Sequence, residues 1–201
     1  FAKMENKQLI LFVKNKELGK VKTRLAKTIG NEKALFIYKA LLQHTCRVAG
    51  SVDALRKVYY SSFVDSNDEF EGDLFEKRIQ VDADLGMKMY GAFKDGFGEQ
   101  AEKVVLIGSD CYEIETSVIE QAFKSLDEND FVLGPANDGG YYLVGMRKLN
   151  KSIFENMTWS TENVLLDTIL DIKKQEKSFF LLPTLTDVDE EKDLGELKNF
   201  L

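Results

Sequence analysis

The sequence predicts an α/β fold, a three-layer sandwich around a mixed, mostly parallel sheet. Short apolar runs rich in β-branched and aromatic residues alternate with stretches whose apolar positions recur every three or four residues. That alternation needs crossover connections, which place helices on both faces of a parallel sheet. One pair of runs, 130–135 and 141–146, lies too close for a helical crossover, so strand directions must be mixed there.

The first strand is "LILFVK" (9–14), and a cationic loop follows it. Asn31 is placed to cap a helix with Leu35, Tyr38, Leu42, Thr45 and Ala49 on one face, and Gly50 to end it. "KVYYSS" (57–62) is the second strand, and "KRIQV" (77–81) adds a short one. A helix over 84–97 leads to the strand "KVVLIG" (103–108). Ser117 and Glu120 have the form of a capping box opening a helix that runs to about Leu126. "DFVLGP" (130–135) and "YYLVGM" (141–146) are the next strands. Ser160 or Thr161 can cap a helix through Val164, Leu165, Thr168, Ile169 and Ile172, before the strand "SFFLLP" (178–183). Asp189, Glu190 and Glu191 place acids at the start of a last helix.

With 201 residues, 44% of them hydrophobic, the chain has material for one core, and residues 1–201 read as a single domain. Pro135 and Pro183 both lie beside apolar runs, and no Gly/Ser-rich or like-charge block forms a linker. The net charge of −7 argues against a nucleic-acid surface. Between Lys14 and Lys27 six basic residues face the single acid Glu17, a local +5 against −12 elsewhere, which suits a small anionic ligand. Cys46, Cys111 and the sole histidine, His44, have neither disulfide-framework nor zinc-site spacing, so a reducing, cytoplasmic setting is expected. No apolar run has the length of a membrane span. Met4 is a candidate natural start, with Phe1 to Lys3 an addition to it.

Two common phosphate loops are excluded. "ELGKVKTRL" has Val21 where a Walker A loop needs its second glycine, and "VKNKELGKVKTR" supplies only Gly19 of a dinucleotide fingerprint. What remains is a loop with Lys14, Lys16, Lys20, Lys22 and Arg24 after the first strand. It is either a solvated cationic loop or a grip on a pyrophosphate, since open α/β sheets bind ligands beyond the carboxyl ends of their strands.

Asp110 follows "KVVLIG" at that same edge. Magnesium is usually held by one or two carboxylates, with phosphates and waters completing its shell, but aspartate is also a common turn residue. Asp187 and Asp189, in "TDVDEEKDL", can reach the edge from another strand, and Asp189 can equally cap the final helix. In "GPANDGGYYLVGM", Gly139 and Gly140 permit a tight turn or a close backbone approach to a ligand, and Asp138 precedes them. Trp159, before Ser160 and Thr161, can stack on a base or sugar or anchor a core or lid. Cys111, with no histidine or second cysteine nearby in sequence, reads as a small packed residue rather than a reactive thiol.

Taken together, "FVKNKELGKVKTRL", "VVLIGSDCYEI", "VLGPANDGGYYLVGM", "WST" and "LTDVDEEKDL" occur in the order found in a bacterial family of small glycosyltransferases. The chain resembles that family, the arsenosugar-biosynthesis-type or radical-SAM/selenodomain-associated transferases, from residue 9 to about 197. The resemblance implies the glycosyltransferase-A fold of the nucleotide-diphospho-sugar transferase superfamily, with Lys14, Lys22 and Arg24 facing nucleotide phosphates. It also implies metal ligation by Asp110, with Asp189 in the place of a second ligand. The chain departs from the family at Lys16, Leu18 and Tyr112, where prolines are usual, and at Glu190 and Glu191, where Thr-Pro stands.

The expected activity is metal-dependent transfer from a nucleotide-activated donor, with Mg²⁺ or Mn²⁺ held by Asp110 and Asp189 or Asp187. Glycosyl transfer from a nucleotide sugar to a small-molecule acceptor, with Asp138 as base, is the leading version. Nucleotidyl transfer from a nucleoside triphosphate to a phosphorylated molecule, releasing pyrophosphate, is the alternative. A non-catalytic nucleotide-binding protein on the same fold is the reading from another class. Gly139, Gly140, Trp159, Ser160 and Thr161 complete the expected substrate contacts.

Overall fold

The computed structural model describes residues 6–201, so the candidate start at Met4 lies outside the described residues. In chain order, β1 (Lys7–Val13) is followed by α1 (Thr23–Ile29), α2 (Asn31–Gly50), β2 (Leu55–Tyr60) and β3 (Glu76–Ile79). Then come α3 (Leu85–Gly98), β4 (Lys103–Ile107), α4 (Thr116–Ser125), β5 (Phe131–Pro135) and β6 (Tyr141–Met146). After α5 (Val164–Lys174) and β7 (Phe179–Leu181), two 3-10 segments, Glu191–Asp193 and Gly195–Phe200, lead to the end of the chain.

The strands form one sheet in the order β3-β2-β1-β4-β6-β5-β7. β6 runs antiparallel to both β4 and β5, and every other pairing is parallel. The expected mixed, mostly parallel sheet is therefore the one observed. Its pleat divides the core in two. Leu9, Leu11, Val105 and Ile107 face α2 and α4, through Leu41, Leu42, Ile119 and Phe123. Ile10, Val104, Leu106 and Val144 face α3 and α5, through Met89, Phe93 and Ile172. All of β4 and β5 is buried, as strands covered on both faces must be.

Several local expectations are corrected. The loop after β1 contains an unexpected helix, α1, which buries only Leu25 and so shows little apolar periodicity in sequence. Gly30, at φ +89°, separates α1 from α2 and takes the N-cap place expected for Asn31, which is the first helical residue. Ser117 and Glu120 form no capping box. Glu115 occupies the cap of α4, and the Thr116 hydroxyl donates instead to the Val48 carbonyl (2.8 Å). Neither Ser160 nor Thr161 caps α5, whose N-cap is Asn163 without a side-chain bond. The last helix is two 3-10 segments, capped reciprocally by Glu190 and Asp193 rather than by Asp189. β7 is shorter than the run that predicts it, and Pro183, which has no N–H to donate, follows soon after.

At the edge away from the carboxyl ends, Asp130 ties three strands together. Its carboxylate accepts from Ser178 N (2.9 Å) and Arg147 Nη2 (3.0 Å). The Ser178 backbone bond, then Arg147, holds the acid below the ordinary aspartate range. A depressed pKa contributes stability above the unfolded value that is lost as pH falls through the folded one. The stability difference between the parent and Asp130→Ala in urea unfolding is therefore expected to be full at neutral pH and to shrink below about pH 4.

Candidate functional site

The carboxyl ends of β1 to β4 share one edge with the tip of the β5–β6 turn, and a cleft of about 910 Å³ opens there. Lys14, Lys22, Arg24, Asp110, Asp138, Gly140, Trp159, Ser160, Thr161, Asp187 and Asp189 all line it. Twelve residues were expected at the site, and Gly139 is the exception. A Cβ there would lie 2.0 Å from the Glu162 carbonyl oxygen, so its close approach is to the chain's own backbone and not to a ligand.

Lys22 organises the cationic side. It holds left-handed angles (φ 50°, ψ 47°) at the N-cap of α1, a strained conformation for a residue with a side chain. From there its nearly buried ammonium sits 2.5 Å from Asp110 Oδ1 and donates to the Val188 carbonyl at 2.7 Å. Arg24, two residues on, pairs with Asp189 at 2.7 Å. Lys16 and Lys20 are spent elsewhere, on Glu69 and Glu17, so of the five loop cations three face the cleft.

The acidic side is assembled by backbone bonds. Leu182 N donates to the Leu133 carbonyl (2.9 Å) and Leu185 N to the Pro135 carbonyl (3.0 Å), continuing β7 alongside β5. Val188 N then donates to the Asp110 carbonyl (2.8 Å), fixing the tail against the β4 tip between Asp187 and Asp189. Burial, followed by the charges of Asp110 and Asp138, pushes the Asp187 carboxyl up to about 7, and Lys22 opposes the shift. Asp110, Asp138, Asp187 and Asp189 thus stand in one cleft with Lys22 and Arg24.

Carboxylates are hard oxygen donors, the chemistry that Mg²⁺ and Mn²⁺ prefer. Among the described residues no three His, Cys, Asp or Glu side chains form a ready metal cage. Asp138 Oδ1 accepts from Gly140 N (2.9 Å) and shapes the turn. Cys111 is buried, and burial, then Asp187, pushes its thiol up to about 12, in keeping with a packed residue.

Residues not singled out in the sequence also meet here. The Tyr38 hydroxyl accepts from Lys14 N (2.7 Å) and bonds Ser109 Oγ (3.0 Å), joining α2 to the strand ends of β1 and β4. Ser61, Gln80, Lys88 and Glu162 line the walls. Gln80 stands just past β3, although the sequence reads 77–81 as strand.

This fold and this edge-of-sheet cleft place the chain with the nucleotide-diphospho-sugar transferase-like α/β proteins. It belongs to the family described as an uncharacterized protein conserved in bacteria (DUF2064), which matches residues 44–161. It is similar to a protein from Desulfovibrio desulfuricans G20, provisionally assigned as a nucleotide-diphospho-sugar transferase. That match has 31% identity and a TM-score of 0.88 and covers 96% of this chain and 87% of the other. In fold it is similar to a CMP:2-keto-3-deoxy-manno-octonic acid synthetase complexed with CTP, at 10% identity and TM-score 0.58, covering 98% of each chain. A Mycobacterium tuberculosis H37Rv protein, Rv0371c, crystallised with manganese, matches at 11% identity and TM-score 0.55 over 98% of this chain and 100% of that one. No curated protein matches.

Proposed function

We propose that the chain is a transferase acting on a nucleotide-activated donor, and that it moves a glycosyl group from a nucleotide sugar to a small acceptor. The observation that carries this is the meeting, in one cleft, of Lys14, Lys22 and Arg24 with Asp110, Asp138, Asp187 and Asp189. The cations offset charge growing on the departing nucleoside diphosphate, and their fixed placement means little reorganisation is needed as it grows. Asp110 with Asp187 or Asp189 would hold Mg²⁺ or Mn²⁺, which supplies further neutralisation of the phosphate oxygens. Asp138 Oδ2, left free by the turn bond to Oδ1, takes the proton of the acceptor hydroxyl as that oxygen attacks the anomeric carbon.

A second reading is nucleotidyl transfer. It is favoured by the commitment of one Asp138 oxygen to Gly140 N, because a phosphorylated nucleophile needs no strong base. Phosphorus NMR of the protein with Mg²⁺ or Mn²⁺ and a panel of nucleotide sugars and nucleoside triphosphates separates the two. Nucleoside diphosphate released from a sugar donor is the expected result. Pyrophosphate released from a triphosphate would establish the second reading. Nucleotide binding that is unaffected by Asp110→Ala, with turnover of no donor, would establish a non-catalytic role.

A further inference from the structure

We propose that the Ser109 hydroxyl donates a hydrogen bond to a phosphate oxygen of the nucleotide donor, with Tyr38 as the residue that aims it. The inference rests on the nucleotide-donor reading above and adds an uncharged hydrogen-bond donor to the cations placed at the phosphates. Ser109 immediately precedes Asp110, and both line the cleft together with Tyr38 and Lys14.

The Tyr38 ring is packed in the core on the α2 face, and its hydroxyl lies at the carboxyl ends of β1 and β4, where the cleft opens. The Tyr38 oxygen accepts from Lys14 N at 2.7 Å, and one further bond, of 3.0 Å, joins it to Ser109 Oγ. The two hydroxyls bring two protons, and the bond between them uses one. No acceptor among the described residues takes the other, because neither hydroxyl has a further partner there. Lys14 N already occupies the Tyr38 oxygen as an acceptor, so the chain runs from Lys14 N–H to the Tyr38 hydroxyl and from that to the Ser109 hydroxyl. The unused proton is therefore that of Ser109. Donors lined up in one sense polarise one another, which strengthens the last of them.

Burial raises the Tyr38 phenol well above its ordinary range, the Ser109 bond opposes that shift and the Asp110 charge adds to it, so the pair stays as two neutral hydroxyls. Lys22 and Arg24 are each already paired with an aspartate, at 2.5 and 2.7 Å, and a phosphate must compete for them. The Ser109 proton has no such competitor among the described residues. An anionic phosphate oxygen is the acceptor that suits it, since a hydrogen bond to an ionised oxygen is roughly twice as strong as one between neutral groups.

Isothermal titration with Mn²⁺ and the tightest-binding of ADP, CDP, GDP and UDP tests this. Ser109→Ala removes the proton and leaves Lys14, Lys22 and Asp110 in place, so affinity for the diphosphate is expected to fall about tenfold or more. Mn²⁺ binding without nucleotide should not change. Tyr38→Phe leaves Ser109 its proton but neither aims nor polarises it, and a smaller loss is expected. Diphosphate affinity that Ser109→Ala leaves unchanged would overturn the inference. So would a loss matched by an equal loss of Mn²⁺ binding, the sign of a displaced Asp110, or a larger loss in Tyr38→Phe than in Ser109→Ala. Failure of all four diphosphates to bind the folded parent would instead remove the nucleotide-donor reading, and the inference with it.

Discussion

Gly139→Ala is expected to destabilise the protein by about 2–5 kcal/mol, while Gly140→Ala at the next residue should cost little. Gly139 holds φ +92°, where a residue with a Cβ loses about 1–2 kcal/mol. The added methyl would lie 2.0 Å from the Glu162 carbonyl oxygen, and backbone on that side cannot swing away as a side chain can. The contact is also structural currency for α5. Leu165 N, in the first turn of that helix, donates to the Gly139 carbonyl at 2.9 Å. Displacing the turn therefore strips a cap from α5 and moves Asp138 and the 160–162 wall together. At Gly140 a Cβ would meet only Asp138 Oδ1, at 3.3 Å, and φ is not in the left-handed region. Urea unfolding of the two variants provides the comparison, and equal midpoints would refute this account of Gly139.

The same glycine shows where the sequence was legible and where it was not. The pattern Asp138-Gly139-Gly140 announces a turn, because left-handed backbone needs glycine. It cannot say what comes near the glycine, since Glu162 arrives from a distant part of the chain. Strands were legible for a related reason: β4 and β5 are buried on both faces and read as unbroken apolar runs. Helix ends were less so. Ser117, Ser160 and Thr161 have capping side chains, but the Thr116 hydroxyl goes to Val48, the Thr161 hydroxyl to Thr158, and α5 takes a carbonyl from the β5–β6 turn. At the cleft, charged residues after strand ends were visible because strand ends gather at one edge. Tyr38 and Ser109 were invisible as site residues. Their place there rests on hydrogen bonds that join α2 to the ends of β1 and β4, and spacing carries no record of that.

Asp110→Asn is expected to lower turnover by roughly 100- to 1,000-fold with the fold retained, and to weaken Mn²⁺ binding in the presence of nucleotide. The substitution keeps the side chain's shape but removes the charge facing Lys22 Nζ at 2.5 Å. Folding survives because Lys22 keeps its bond to the Val188 carbonyl and the nearby carboxylate of Asp187, and because the tail is fixed to the β4 tip by Val188 N on the Asp110 backbone, which the substitution leaves in place. Loss of activity with an unchanged unfolding midpoint would thus separate a reacting-centre role from a packing one. Lys22→Met is the complementary case. It removes the cation and leaves Asp110, Asp187 and Asp138 facing one another, so nucleotide affinity should fall while metal affinity without nucleotide should not. The two variants move metal and nucleotide binding in different proportions only if Asp110 serves the metal and Lys22 the phosphates. Parallel losses in both would mean that the pair is a structural salt bridge beneath the site. Titration of each variant with Mn²⁺ alone, then with a nucleotide sugar, decides between these outcomes.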